Sequence, residues 1–217
     1  MKSPPPKGDF LWYNNTKGDI MVILFGLAGS GKGTQGKALS EIFGWRTLSV
    51  GQAIRDAGKY DDIINCGKMI PDEDVIKLIQ NKIEVNEAEG YDTILDGFPR
   101  NKAQTEWLME HMANKIDGAI ILDVPKEELY DRLALRGRDD DKEKSAIDRR
   151  FELFEQNICS ILPLFEANNI PVEHANGVGS IDEVTDRLVA VFQKINPDAT
   201  KQINDVNGEE IEKSYGE

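Results

Sequence analysis

The residues with the clearest chemical potential lie in the stretch ILFGLAGSGKGTQG, residues 23–36, where five glycines and one lysine follow an apolar run. Gly26, Gly31 and Lys32 satisfy the spacing Gly-x-x-x-x-Gly-Lys. Glycines let the backbone curl so that successive N–H groups point at one anion, with the positive end of the next helix behind them. The stretch therefore predicts a loop that binds nucleotide phosphates, and Lys32 adds a full charge there. The spacing alone would also fit a glycine-rich turn needed only for packing.

The elements that must position this loop follow from an alternation of apolar runs and helical patterns. An apolar run at 20–25 precedes the loop, and a helical pattern from about Lys32 to Phe43 follows it. This alternation is typical of parallel strands joined by crossover helices, so it predicts an α/β fold with a mostly parallel sheet. Further strands are predicted at 47–50, 92–96, 119–124 and 171–175. Further helices are predicted at 51–66, 72–88, 102–113, 127–135 and 181–194. A long helix is also predicted to follow the charged break at 136–144 and to end at about residue 167.

Composition narrows the class of partner. A net charge of −13 over 217 residues argues against nucleic acid, because binding to its phosphates is driven by Lys and Arg. A small anionic ligand is compatible with this charge if basic residues converge locally. No apolar run is long enough to span a bilayer, and the start of the chain lacks the apolar segment of a secretory signal. We therefore expect a cytoplasmic protein without a membrane partner.

The remaining compositional features concern the termini and the cysteines. Residues 1–19 contain three consecutive prolines, and residues 196–217 are rich in Asn, Glu and Lys. We expect a flexible N-terminal arm and a polar C-terminal tail around one domain at 20–195. Cys66 and Cys159 are expected to be reduced thiols, since neither has a CxxC partner.

The loop from Gly26 to Gln35 resembles that of the adenylate kinase family of nucleoside monophosphate kinases, including Gly33 after the lysine, where many phosphate loops have Ser or Thr. The segments LSVGQAIR (48–55), GKMIP (67–71) and LDGFPRNKAQ (95–104) match this family in order, and DGFPR is the most specific. The resemblance implies a P-loop NTPase fold with a central parallel five-stranded sheet flanked by helices. It also implies a small helical monophosphate-binding lobe at 48–71 and a short lid at 136–144.

On the donor side, the resemblance implies that arginines and the phosphate loop surround ATP and the transferring phosphoryl group. Arg132 and Arg136, at i and i+4, share one helical face. The RGRDDD stretch at 136–141 is shorter than the corresponding lid of many relatives, and residues 139–144 have the composition of a solvent-facing charged run. The implied ATP-binding residues are Gly29, Ser30, Gly31, Lys32, Gly33, Thr34, Arg132, Arg136 and Gly179. The implied catalytic residues are Lys32, Arg100, Arg136, Arg138 and Arg150.

On the acceptor side, the resemblance implies that Arg55 and Arg100 hold the phosphate of AMP, which suits the planar guanidinium group. Gln104, four residues after Arg100, would hydrogen-bond the adenine. Two features depart from the family: Val50 stands where Thr or another small residue is common, and the segment between Arg55 and Gly67 is short. The implied AMP-binding residues are Val50, Arg55, Met69, Ile70, Gly97, Arg100 and Gln104.

A magnesium site is expected at the end of a predicted strand. Asp96 ends the run DTILD, and its carboxylate could join the hydration shell of Mg²⁺ through water, with Asp123 as a further candidate. His111 and His174 fall outside the matched motifs, and we expect structural or surface roles for them. The phosphate of AMP is already anionic, so the transfer needs no general base.

The function expected from the resemblance is the reversible, Mg²⁺-dependent transfer of the terminal phosphoryl group of ATP to AMP, giving two ADP. We expect a monomer whose partners are ATP, AMP and ADP, and whose segments 136–144 and 50–70 close over bound nucleotides. Gln104 favours AMP, whereas Val50 leaves open a UMP/CMP kinase of the same fold. A catalytically silent nucleotide sensor is a further alternative. A P-loop kinase for a small metabolite hydroxyl is another, and the DGFPR motif argues against it.

Overall fold

A parallel sheet forms the centre of the computed structural model, which describes residues 20–60, 62–63 and 68–197. Within these residues the sheet has five strands in the order β2-β3-β1-β4-β5, and every neighbouring pair is parallel. The predicted α/β fold is therefore confirmed. The strands are β1 (Met21–Phe25), β2 (Arg46–Ser49), β3 (Thr93–Asp96), β4 (Ile116–Asp123) and β5 (Val172–Asn176).

Helices connect the strands and cover both faces of the sheet, as parallel pairing requires. Two short 3₁₀ turns, Ala113–Lys115 and Asp139–Asp141, lie among them. The α-helices are α1 (Lys32–Phe43), α2 (Val50–Asp56), α3 (Asp72–Ala88), α4 (Lys102–Met112), α5 (Lys126–Arg136), α6 (Lys144–Ala167) and α7 (Ile181–Ile195).

The core lies on both faces of the sheet because the central strand β1 is buried along its whole length. Met21, Ile23 and Phe25 pack on one face, and Val22 and Leu24 pack on the other. Helices α2, α3, α4 and α6 cover the first face, and α1 and α7 cover the second. A third cluster joins α5 to α6 beside the loop after β1; its buried members are Leu129, Leu133, Ile147 and Phe151.

Strand β4 begins three residues before the predicted start at residue 119. Gly118 is the reason, because a Cβ at this position would lie 2.7 Å from Cγ2 of Ile195 in α7. The close approach of α7 requires a glycine, and together with Asp117 this glycine interrupts the apolar run that marks the strand in the sequence.

The carboxyl ends of the central strands meet at one edge of the sheet. β1 lies between β3 and β4, so the loop after β1 lies beside Asp96, which ends β3. Parallel α/β sheets bind ligands at such an edge, where the chain departs in opposite directions from neighbouring strands.

Several expectations lie outside the described residues: those for the arm at 1–19, for the tail from 198 onward, and for Cys66 and Gly67. Of the predicted tail, Asn196 is described, and its side chain hydrogen-bonds Asp117. Among the helices that the structure describes, none combines the length and apolar character needed to cross a membrane.

Candidate active site

The loop after β1 has the backbone geometry of a phosphate-binding loop. Gly26 has φ +147°, and a Cβ there would lie 2.9 Å from the carbonyl oxygen of Leu122, so no other residue fits. Gly31, with φ +98°, is the N-cap of α1 and accepts a hydrogen bond from the N–H of Gln35 at 2.8 Å. The loop therefore leads directly into the positive end of α1, where an anion is favoured.

Lys32 extends back over this loop. Its Nζ donates to the carbonyl oxygens of Gly26 at 2.8 Å and Leu27 at 2.9 Å. The half-buried position lowers the pKa of Lys32, Asp96 opposes the shift, and Arg100 and Arg136 add to it. The ammonium group is thus held where the two ends of the loop meet, close to other cations.

Two arginines converge beside the segment that follows β2. A Cβ on Gly51 would lie 3.5 Å from both Nη2 of Arg100 and Nη1 of Arg55. Nε of Arg100 also donates to the carbonyl oxygen of Gly97 at 2.7 Å, which holds the guanidinium over the DGFPR turn. The two arginines implied to bind the acceptor phosphate therefore lie next to each other, although 45 positions separate them in the chain.

Two other predicted acceptor residues are not part of the lining of the cavity that these arginines face. Val50 is 0% exposed and packs in the core, so its side chain does not face the cavity. Gln104 is 1% exposed, and its amide is bonded to Asp72 and to the backbone of Arg100. Three further predicted acceptor residues, Met69, Ile70 and Gly97, line the cavity.

The stretch after α5 is held together by two buried carboxylates. Asp141 accepts from Arg136 at 2.7 and 2.8 Å and from Arg150 at 2.8 Å. Asp140 accepts from Nη1 of Arg150 at 3.0 Å. Asp140 and Asp141 are 6% and 8% exposed, so the expectation that 139–144 is a solvent-facing charged run is wrong for these two residues. They are buried because they neutralise the arginines that face the cavity.

The electrostatics of Asp141 give a testable pH dependence. Burial alone would raise the pKa of Asp141, but the hydrogen bonds from Arg136 and Arg150 outweigh it and hold the pKa below its ordinary value. A depressed folded-state pKa stabilises the fold above the unfolded pKa of about 3.9, and this contribution is lost as pH falls through the lower folded value. We predict that the difference in unfolding free energy between the wild type and Asp141→Asn shrinks as pH falls below about 4. Urea unfolding as a function of pH tests this, and a constant difference would contradict it.

These groups line one cavity of about 220 Å³. Among the described residues that line it, seven are lysine or arginine and two are aspartate, in a chain whose net charge is −13. Such a local excess of cations, with backbone N–H groups beside it, suits a polyanionic ligand. The cations are Lys32, Arg55, Lys68, Arg100, Arg136, Arg138 and Arg150, and the carboxylates are Asp96 and Asp140.

The remaining predicted donor residues lie around the phosphate loop and the β5–α7 connection, outside the cavity lining. Arg132 donates to the carbonyl oxygens of Ser30 at 3.4 Å and Gly177 at 2.9 Å, and so links the loop to that connection. Gln35 donates to the carbonyl oxygen of Ile181 at 3.1 Å and makes a second link. The predicted residues in these segments are Gly29, Ser30, Gly31, Gly33, Thr34 and Gly179.

The carboxylate expected to serve magnesium lies beside the start of α1. Asp96 is 7% exposed, and its Oδ2 lies 3.6 Å from the position of a Cβ on Gly33, so it faces the start of α1. No group of three or more ligating side chains that could hold a metal occurs in the described part of the chain. Asp123 is exposed, bonds His174 at 2.8 Å and does not line the cavity.

Comparison with known proteins decides the family. The family model described as adenylate kinase matches residues 24–170. The adenylate kinase of Maricaulis maris is 35% identical over 188 residues, which are 80% of this chain and 98% of the relative. That of Phocaeicola vulgatus is 32% identical over 192 residues, 81% of this chain and 100% of the relative. The chain belongs to the adenylate kinase family.

Membership of the adenylate kinase family confirms the predicted resemblance and the P-loop fold. It also confirms the predicted enzyme class and reaction, the transfer of a phosphoryl group from ATP to AMP to give ADP. The comparisons give no support to a UMP/CMP kinase or to a silent nucleotide sensor.

Sequence reasoning missed three carboxylates that organise this adenylate kinase site. Asp140 and Asp141 hold the arginines, and Asp72 holds Gln104. No local signal separates the first two from the exposed Asp139 beside them, because their pairing with Arg150 forms only when α6 packs against the 3₁₀ turn. No local signal pairs Asp72 with Gln104, since 32 positions separate them.

Proposed function

We propose that the transfer from ATP to AMP takes place in the cationic cavity, that it is reversible, and that it depends on Mg²⁺. The observation that carries this proposal is the convergence of seven cations and the phosphate loop on one cavity in an acidic chain. A site for an uncharged or cationic substrate would not concentrate positive charge in this way.

The proposed mechanism uses positioning and charge. The phosphate of AMP attacks directly because it is already anionic, so the cavity needs no general base, and neither His111 nor His174 lines it. Arg55 and Arg100 orient the acceptor phosphate. Lys32 and the arginines held by Asp140 and Asp141 stabilise negative charge on the transferring group.

Asp96 would hold Mg²⁺ through water. When bound, the ion would neutralise negative charge on the phosphates of the donor. The carboxylate of Asp96 attracts both Lys32 and Arg100, so its charge also offsets the repulsion between these two cations.

Substrate entry is proposed to involve motion of the lobe at 48–71 and the lid at 136–144. Arg55 and Arg138 bring these segments to the same cavity, whose volume of about 220 Å³ is below the roughly 300–1,000 Å³ usual for ligand pockets. Two nucleotides therefore require the segments to separate and then close again, which excludes water from the transfer.

We also propose that the protein is monomeric and cytoplasmic.

The proposal is tested by ADP formation from ATP with AMP, CMP, UMP or GMP, each with Mg²⁺ and with excess chelator. We expect AMP to be the best acceptor and the chelator to abolish turnover. A higher kcat/KM for UMP or CMP would place the enzyme with the pyrimidine kinases, and turnover in chelator would contradict the magnesium requirement.

The lowered pKa of Lys32 predicts an alkaline limit to ATP binding. Phosphate binding needs the charged ammonium, so affinity is present below the folded-state pKa and is lost as pH rises through it. Because that pKa is below the ordinary value of about 10.4, the loss begins at a lower pH than for an exposed lysine. We expect ATP titrations to show this limb and Lys32→Arg to lack it, since a guanidinium stays charged. The same limb in Lys32→Arg would assign it to another group.

A further inference from the structure

A closed hydrogen-bond network lies next to the acceptor side of the cavity. Oδ1 of Asp72, the first residue of α3, accepts from Nδ2 of Asn101 at 2.8 Å and from Nε2 of Gln104 at 2.7 Å. Oε1 of Gln104 accepts from the backbone N–H of Arg100 at 2.7 Å. Oδ1 of Asn101 caps α4 by accepting from the N–H of Gln104 at 2.9 Å. The network joins the start of α3 to the start of α4.

The partners of Gln104 determine how its amide is turned. An ionised carboxylate only accepts hydrogen bonds, and a backbone N–H only donates. The amide nitrogen must therefore face Asp72, and the amide oxygen must face Arg100. In the reversed orientation two acceptors would meet at Asp72 and two donors at Arg100, in a place where Gln104 is 1% exposed. Unmatched polar groups are costly when buried, so the orientation is set before a nucleotide binds.

An amide held in this way retains one N–H and one carbonyl lone pair for a further partner. This pair complements a ring nitrogen acceptor next to an exocyclic amino group. On the Watson–Crick edge, adenine and cytosine carry that combination, whereas guanine and uracil carry a carbonyl next to a ring N–H. A freely rotating glutamine could serve either class of base, but the held one serves the first class alone.

We propose that Asp72 is a specificity-determining positioning residue: by holding the amide of Gln104, it favours acceptor nucleotides with adenine or cytosine over those with guanine or uracil. The inference rests on the proposed function, together with the hydrogen bond to the acceptor base that the family resemblance implies for Gln104. The placement of the network supports it, since Ile70, two residues before Asp72, lines the cavity together with Arg100. Asp72 acts through Gln104.

The test compares kcat/KM for AMP, CMP, GMP and UMP in the full chain and in Asp72→Ala. We expect kcat/KM for AMP to fall about tenfold, mainly through KM, because one hydrogen bond to a charged group is lost. The value for CMP falls in parallel, the AMP-to-GMP ratio falls by a similar factor, and KM for ATP stays within about twofold. Asp72→Ser has a hydroxyl that both accepts and donates, and it is expected to lower the AMP-to-GMP ratio by a smaller factor.

Glu73→Ala is the matched control, because it removes the same charge from the first turn of α3. Glu73 is exposed and takes no part in the network. It is expected to leave the AMP-to-GMP ratio unchanged. An equal loss for all four acceptors in Asp72→Ala, or a ratio change no larger than in Glu73→Ala, would overturn the proposal. An unchanged ratio in Asp72→Ser would overturn it as well. Failure of the proposed function is seen separately, as absence of ADP formation from ATP and AMP by the unaltered protein.

Discussion

Lys32→Ala is expected to lower kcat for ADP formation by about a thousandfold while the protein remains folded. Nζ of Lys32 lies within 2.9 Å of two loop carbonyl oxygens, so its charge is placed before substrate binds. A preorganised charge of this kind contributes most where negative charge develops during transfer. Alanine also removes a cation that Arg100 and Arg136 repel, so we expect little loss of stability. Steady-state turnover and thermal unfolding of the variant measure the two effects.

The control for this variant is Lys37→Ala, which removes the same charge from the exposed side of α1. We expect it to keep nearly full activity. Comparable turnover by Lys32→Ala and the wild type would show that the phosphate loop is not part of the catalytic site.

Asp141→Ala is expected to reduce both activity and stability. Asp141 holds two arginines from different helices, and its side chain is 2% exposed. Removing it leaves Arg136 and Arg150 close together without the carboxylate that bridges them. Breaking a buried ion pair on one side costs about 3–5 kcal/mol, and the partly exposed arginines place the expected loss at about 3 kcal/mol. Since both arginines face the cavity, we also expect kcat to fall about a hundredfold.

Asp139→Ala is the matched control for Asp141→Ala, because Asp139 lies in the same 3₁₀ turn and its side chain is 78% exposed. Its exposed ion pair with Lys142 is worth little, so activity and stability should stay near those of the wild type. If the two variants behaved alike in chemical unfolding and in turnover, Asp141 would have no organising role.

The parts of the fold that depend on local pattern could be predicted from the sequence. The sequence predicts α1 from Lys32 to Phe43, and the structure has these bounds. Here a strand buried on both faces, a run of glycines and an amphipathic helix follow one another, and each signal is local. The phosphate loop and the segments LSVGQAIR and LDGFPRNKAQ continue from β1, β2 and β3, which are neighbours in the sheet.

The parts that depend on pairing between distant residues could not be predicted in this way. Asp141 has the composition of a solvated residue until α6 brings Arg150 against it. The family resemblance implies that Val50 contacts the nucleotide, yet its apolar side chain is buried in the core. Gln35 bonds Ile181 across 146 positions, and no periodicity in the sequence signals that contact. In each case tertiary packing decides where the side chain lies and which groups it contacts.

Label transfer from ATP carrying a radioactive γ-phosphoryl group tests the central claim most directly. The purified protein is incubated with this ATP, AMP and Mg²⁺, and the products are separated. Direct transfer in the cationic cavity predicts that the label appears in the β-phosphoryl group of ADP made from AMP, without release of inorganic phosphate. Label in inorganic phosphate, or label that stays in ATP while AMP persists, would contradict the account.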